Sequence, residues 1–272
     1  EKNPERFNQM GGAEQNLAAV AAGLGGSGKT AFISSYATFS PGRNWEQIRT
    51  TICYNDSNVK IAGHHAGLMT GPDGATHEAT EDIAITCALP NMRVFVPCDA
   101  NEGKKATIAA AKMWGPVYLR FAREKSPVVT TEATPFTPGK AEIFWQSKKP
   151  QVMIVACGVL VRNALLAAKE LEEDGIGSVV LNVHSIKPLD EPKIVEWAKK
   201  TGAVVSVEEH QVAGGLGGAV AEVLAKSAPA PMEFIGMQDV FGESGNPWDL
   251  IKKYGMDVKD IVRAAKKVIR RK

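Results

Sequence analysis

Short apolar runs of strand length alternate along the whole chain with longer stretches of helical pattern, and this alternation restricts the fold more than any other feature. A small-residue helix is expected over Glu14–Leu24, followed by a strand in AFISSYATF (Ala31–Phe39), a helix near Asn44–Ile52 and a strand at Val59–Gly63. Another helix begins near Ala79, a strand follows at Met92–Pro97, then a helix at Asn101–Met113 and a strand at Pro116–Phe121. Parallel neighbours in a sheet need a crossover, which a helix supplies, so this order predicts a mostly parallel sheet covered on both faces. From residue 126 to residue 150 periodicity is lost and Pro127, Pro135, Pro138 and Pro150 punctuate the chain. Apolar runs then resume at Val152–Ala156, Ser178–Val183, Ala203–Val207 and Met232–Ile235, with helical patterns at Leu160–Glu173, Asp190–Lys200, Gly217–Lys226 and Val258–Ile269. The expected fold class is therefore α/β, in two domains with mostly parallel sheets: residues 1–135, a linker over 136–150, and residues 151–272.

A length of 272 residues, 44% of them hydrophobic, lets each domain bury a core. Lysine plus arginine number 32 against 30 acidic residues, which lacks the electrostatic footprint of a nucleic-acid binder. Cys53, Cys87, Cys98 and Cys157 are widely spaced without a CxxC pair, so neither a zinc site nor a disulfide scaffold is expected, and a reducing cytoplasm suits them. No apolar run approaches the roughly 18 to 20 residues that a membrane helix requires.

Residues 23–30, GLGGSGKT, satisfy the P-loop expression literally. A working P-loop needs a strand before the glycines and a helix after them, so that helix and loop amides face the phosphates. Here the order is reversed, and the expected role is a helix stop built on Gly25, Gly26 and Gly28. In the second domain the Gly214–Gly218 run misses the GxGxxG spacing; with Glu209 and His210 before it, a helix start and a subunit contact are expected.

Four segments of the first domain hold more polar, ring-bearing and glycine residues than packing selects. In FNQMGGAEQNLAAVAAGL, Glu14 opens a helix of small apolar residues; it is either a first-turn charge favoured by the helix dipole or a buried acid with a raised pKa. In YATFSPGRNWEQIR, Phe39 and Arg43 lie between a strand end and a helix entry. HHAGLMTGPDGATHE carries His64, His65, Asp73 and His77, three of the chain's five histidines among them. No second ligand cluster follows at zinc spacing, so proton transfer and hydrogen bonding to a polar substrate suit these histidines better than a metal. In YLRFAREKSP, Arg120 and Arg123 close a strand, where guanidinium groups bind phosphate or pair with surface acids.

Taken together and in this order, the four segments resemble the pyrimidine-binding domain of transketolases and their relatives. VVSVEEHQVAGGLGGAVAEVLA and FGESGNPWDLIKKYGMDVKDIV resemble the C-terminal domain of the same enzymes, so the resemblance covers nearly the whole chain. It implies that Glu14 hydrogen-bonds N1′ of the aminopyrimidine of thiamine diphosphate and favours the tautomer whose 4′-nitrogen deprotonates the thiazolium carbon, the cofactor then doing the carbon–carbon chemistry. It implies that Phe39 stacks on the pyrimidine, that Asp73 bonds a ketose hydroxyl, that His77 assists proton transfer and that His65 contacts substrate. Arg43 and Arg123 correspond to arginines that hold the sugar phosphate, Arg43 also counting among the cofactor-binding residues, and Arg120 is a weaker substrate candidate.

The chain departs from the family pattern in three places. A strand and helix usually precede the Glu14 segment, which leaves either a chain lacking that unit or a sheet short by an edge. Gly12 stands where a β-branched residue is usual. Nothing resembles the GDG and downstream asparagine that hold magnesium and the diphosphate. The resemblance therefore implies a partner: an N-terminal transketolase subunit that binds Mg2+ and the diphosphate, in an α2β2 assembly acting on sugar phosphates. The alternatives are a 1-deoxyxylulose-5-phosphate synthase-like subunit, a 2-oxoacid dehydrogenase β-like subunit, and a non-catalytic structural or regulatory subunit.

Overall fold

The structure is a computed structural model and describes residues 3–272. In the first half, α1 (Glu14–Gly26) leads into β1 (Ala31–Tyr36), and α2 (Trp45–Gln47) continues as a π-helical stretch, Ile48–Cys53. Then come β2 (Val59–His64), a 3-10 stretch at Leu68–Asp73, α3 (Asp82–Cys87), β3 (Arg93–Phe95), α4 (Ala100–Lys112) and β4 (Val117–Arg120). The second half runs β5 (Glu142–Gln146), β6 (Val152–Ala156), α5 (Val161–Glu173), β7 (Ser178–Asn182), β8 (Ser185–Lys187), α6 (Glu191–Thr201) and β9 (Val204–Gln211). It ends with α7 (Leu216–Ser227), β10 (Met232–Met237), α8 (Pro247–Lys253) and α9 (Val258–Ile269).

Two five-stranded sheets result, ordered β1-β2-β4-β3-β8 and β10-β9-β6-β7-β5. Each has four parallel strands and one antiparallel edge, β8 against β3 and β5 against β7. Both antiparallel strands escape a reading by periodicity. Strand β5 lies inside the stretch expected as a linker, and β8 belongs to the second half of the chain yet completes the first sheet. Its Lys187 donates to the carbonyls of Cys87 (2.8 Å) and Leu89 (2.6 Å), fastening the crossing segment to the end of α3.

The central strands are apolar because helices cover both of their faces; every residue of β6 and β7 is buried. One hydrophobic cluster runs from Ile33, Ile61, Val94 and Tyr118 of the first sheet into Val155 and Leu181 of the second and Trp197 of α6. The two sheets thus share a dry seam. At about 1.5–3 kcal/mol for each large apolar side chain removed from water, that seam holds them in one orientation. Helix ends are closed by side chains where the sequence provides them: Asp99 accepts from the Glu102 amide at 2.9 Å, and Asp257 with Asp260 forms a reciprocal cap on α9.

Candidate active site

The site begins on α1. Its buried positions are Glu14, Ala18, Ala21, Ala22 and Gly25, a single stripe at helical spacing that packs on the sheet. Glu14 heads this stripe, so the spacing that buries the alanines also withdraws the carboxylate from water, leaving it 7% exposed. Glu14 is thus at once the first residue of the helix and a buried side chain. Oε2 accepts from Arg43 Nη1 at 2.9 Å and Oε1 from Ser35 Oγ at 3.4 Å. Its backbone carbonyl takes a 3.0 Å bond from the buried Asn44 amide, which ties the helix start to the next segment.

That segment is a turn. Strand β1 stops at Tyr36, three residues before the expected end, because the chain folds back with Phe39 N donating to Tyr36 O (2.8 Å) and Arg43 N to Phe39 O (2.9 Å). The turn lifts the Phe39 ring out of the sheet plane to meet His77 edge-on at 5.4 Å and Tyr36 nearly parallel at 6.2 Å. Tyr36 in turn stacks on His65 at 4.0 Å and meets His77 edge-on at 6.0 Å. The Arg43 guanidinium lies over Phe39, 4.6 Å from the ring centre. Glu14, Phe39, Arg43, His65 and His77, far apart in sequence, thus converge on one cluster with Tyr36 at its middle.

His64 and His65 approach Nδ1 to Nδ1 at 2.8 Å, which requires one proton between the two atoms. Burial lowers the pKa of both, with each other's charge further lowering that of His64 and Arg123 that of His65. The pair is therefore poised neutral, able to accept or donate one proton. His65 sits in the left-handed region, φ +54, and its carbonyl accepts from Thr70 Oγ1 at 2.6 Å. A non-glycine residue there is uncommon and is held by its surroundings. Arg123, just after β4, pairs with Asp73 at 3.2 Å, half-exposed, and also donates to Thr70 O at 2.7 Å, so that two segments form one polar rim.

Arg120, the weaker substrate candidate, is 5% exposed and spends its donors inside the protein: Nε pairs with Asp82 at 2.9 Å, and Nη2 donates to the carbonyl of Glu209 at 2.8 Å. Burial of a guanidinium demands internal acids, and Asp82 and Glu209 supply them. Asp82 also accepts from Tyr118 at 2.6 Å, and Glu209 accepts from the Met69 amide at 2.6 Å. Arg120 is a seam residue joining the site loop to the second domain.

The P-loop match is not a phosphate cradle. Helix α1 extends through Gly25 and Gly26, later than expected, and ends where Gly28 takes φ +87 with Lys29 exposed. Gly25 serves close packing, since a Cβ there would stand 2.9 Å from Asn58 N. The glycine run at 214–218 does start a helix, α7, whose amides at Leu216 (2.7 Å) and Gly217 (2.8 Å) bind Glu208. Among the described residues no group of three or more His, Cys, Asp or Glu side chains is arranged to hold a metal, and no helix is long and apolar enough to cross a membrane.

Sequence reasoning missed Ser35, Tyr36, Asn44, Asp82 and Glu78. Tyr36 and Ser35 carried a signal, being polar residues where β1 leaves the core. Glu78 carried none: it is 5% exposed with no partner for either oxygen, and burial followed by Glu209 and Glu243 pushes its pKa to about 7.

The class the fold and site define is a pair of α/β domains with a shared seam, with a buried acid at a helix start beside an aromatic ring. The chain belongs to the transketolase family: residues 1–128 match the transketolase pyrimidine-binding domain and residues 139–261 the transketolase C-terminal domain. It is 40% identical over 269 residues, 99% of this chain and 83% of the relative, to the 6-deoxy-6-sulfo-D-fructose transketolase subunit SqwH of Clostridium sp. (strain MSTE9). It is 35% identical, over 98% of this chain and 85% of the relative, to one of the subunits of an apulose-4-phosphate transketolase from Phocaeicola vulgatus. A solved split-gene transketolase, described as an inactive β4 tetramer, superposes with a TM-score of 0.92 at 48% identity, covering 98% of this chain and 86% of that one.

Proposed function

We propose that this chain is the C-terminal subunit of a split transketolase, transferring a two-carbon ketol group reversibly between a ketose phosphate and an aldose phosphate when joined by a separate N-terminal subunit. The observation that carries the reading is the Glu14 carboxylate, buried at the start of α1 within the cluster that holds the Phe39 ring. These residues fit the aminopyrimidine end of thiamine diphosphate: a desolvated carboxylate needs a donor, and an aromatic face that takes a flat guanidinium can take a flat ring in its stead. When bound, the cofactor supplies the carbon nucleophile.

Glu14 holds a ring N–H, Phe39 stacks, and His65 and His77 accept or return protons at substrate oxygens. Asp73 orients a hydroxyl, and Arg123 binds the sugar phosphate. Arg43 stands at the cofactor's end of the site. The diphosphate and Mg2+ belong to the partner, in an α2β2 assembly. Four unpaired cysteines accord with a reducing, cytoplasmic setting.

The test is ketol transfer from xylulose 5-phosphate by this chain alone, by the N-terminal subunit alone and by the mixture, with pyruvate as the rival donor. Activity is expected only in the mixture, with the ketose donor, and Glu14→Gln lowers it by about 10²–10⁴. Transfer by this chain alone rejects the split arrangement. Unchanged turnover of Glu14→Gln turns the reading toward a structural subunit.

A further inference from the structure

We propose that Arg43 is a built-in placeholder for the aminopyrimidine ring, occupying the cofactor's seat on Phe39 and Glu14 until the cofactor displaces it. This rests on the thiamine diphosphate reading above and goes beyond it, because it assigns Arg43 to competition with the cofactor and not to holding it.

The argument is geometric. A guanidinium is flat, delocalised and rich in N–H donors, and it both pairs with carboxylates and stacks on aromatic faces. Arg43 does both at once: Nη1 lies 2.9 Å from Glu14 Oε2, and Cζ lies 4.6 Å from the centre of the Phe39 ring. Those are the two contacts the cofactor's ring is expected to make, one to its N1′ edge and one to its face. The carboxylate and the ring face cannot serve both groups in the same place.

The local structure shows why a stand-in is useful. Without Arg43, Glu14 keeps a single side-chain donor, Ser35 Oγ at 3.4 Å, at the limit of a hydrogen bond. Leaving a buried carboxylate with so few donors is costly, so a partner that fills the gap steadies the turn. The guanidinium keeps Glu14 paired and the Phe39 face covered in the cofactor-free chain. Release is easy, because the Arg43 side chain is 52% exposed while the Glu14 side chain is 9% exposed. The Arg43 backbone is pinned to Phe39 O at 2.9 Å, so rotation about side-chain bonds clears the seat without unfolding the turn.

A site that is self-occupied most of the time binds its ligand more weakly in proportion to the fraction that is open. The experiment is calorimetric titration of thiamine diphosphate into the reconstituted complex of this chain with its N-terminal subunit, which reads binding heat and not turnover. Arg43→Ala is expected to lower the Kd by about tenfold. Arg43→Lys, which keeps a charge for Glu14 but cannot cover the ring as a plane, is expected to lower it by a smaller factor. Crystal structures are expected to place Arg43 over Phe39 in the cofactor-free chain and in solvent in the loaded complex. Equal or weaker binding by Arg43→Ala overturns the placeholder while leaving the cofactor reading standing. Failure of the unsubstituted complex to take up the cofactor overturns both.

Discussion

A carboxylate that loses its water on folding must find donors or a proton, and the residues that answer this need define most of the site. Glu14 finds Arg43 and Ser35; Asp73 finds Arg123; the neutral histidine pair finds itself. The Asp73–Arg123 pair is half-exposed, so its worth to stability is small, and its effect belongs to binding. Arg123→Gln is expected to lower kcat/KM for sugar phosphates by about tenfold to a hundredfold, the range of one charge-assisted hydrogen bond, measured in the reconstituted complex. Gly67 is required for a different reason. Its φ is +68 and a Cβ would collide with the Glu209 carboxylate, so Gly67→Ala strains the backbone and pushes on the acid that receives the Met69 amide. A loss of about 1–3 kcal/mol is expected from the urea midpoint, and a variant as stable as the parent would show that the loop relaxes freely.

At the scale of elements, the end of β9 explains how a loop from one domain is held by another. Successive residues of a strand point to opposite faces, and Glu208, Glu209 and His210 use this to serve three partners. Glu208 receives the first amides of α7, Glu209 the amide of Met69, and His210 Nε2 the amides of Ile83 and Ala84 at the start of α3. His210 Nδ1 lies 2.7 Å from the Gln211 carbonyl and donates to it, so the ring is neutral, in keeping with a pKa lowered by burial. Arg120 sits among these elements between Asp82 and Glu209. Arg120→Met removes the counter-ion of two buried acids and is expected to destabilise the chain by about 3–5 kcal/mol in urea unfolding. A change below about 1 kcal/mol would mean that water reaches the seam and replaces the guanidinium.

For the whole molecule, the seam between the sheets sets a dependence on pH. Glu78 follows His77 directly and is packed under Gly242, with Glu209 and Glu243 facing it and Lys253 held on Glu243. Its pKa is raised from 4.5 to about 7, so the folded chain keeps a proton that the unfolded chain releases between those values. The contribution of Glu78 to stability is therefore fully present below about 4.5 and is lost as pH rises through about 7. Gln at this position does not titrate. The stability of Glu78→Gln relative to the parent is expected to grow from about pH 4.5 to about pH 7 and then level off, as read by urea unfolding across that range. A flat difference would place the carboxyl in water.

What the sequence determined by itself was the layer architecture and the identity of the chemistry-bearing segments. The alternation of apolar runs with helical patterns predicts eight strands, and all eight are present, because hydrophobic periodicity is a local property written into each segment. Glu14, Phe39, His65, Asp73 and His77 were legible as polar or ring-bearing residues set at element ends and in a glycine-rich loop. Only the tertiary structure decided the rest. Strands β5 and β8 are edge strands formed by segments whose partners lie elsewhere in the chain, and nothing local marks them. Arg120 and Arg123 are three residues apart and look alike in sequence, yet one is sealed against Asp82 and the other rims the site. Arg43 likewise takes its place only when α1 and the turn after β1 come together. Burial and pairing are set by which elements meet, and that depends on long-range packing that no short window of residues contains.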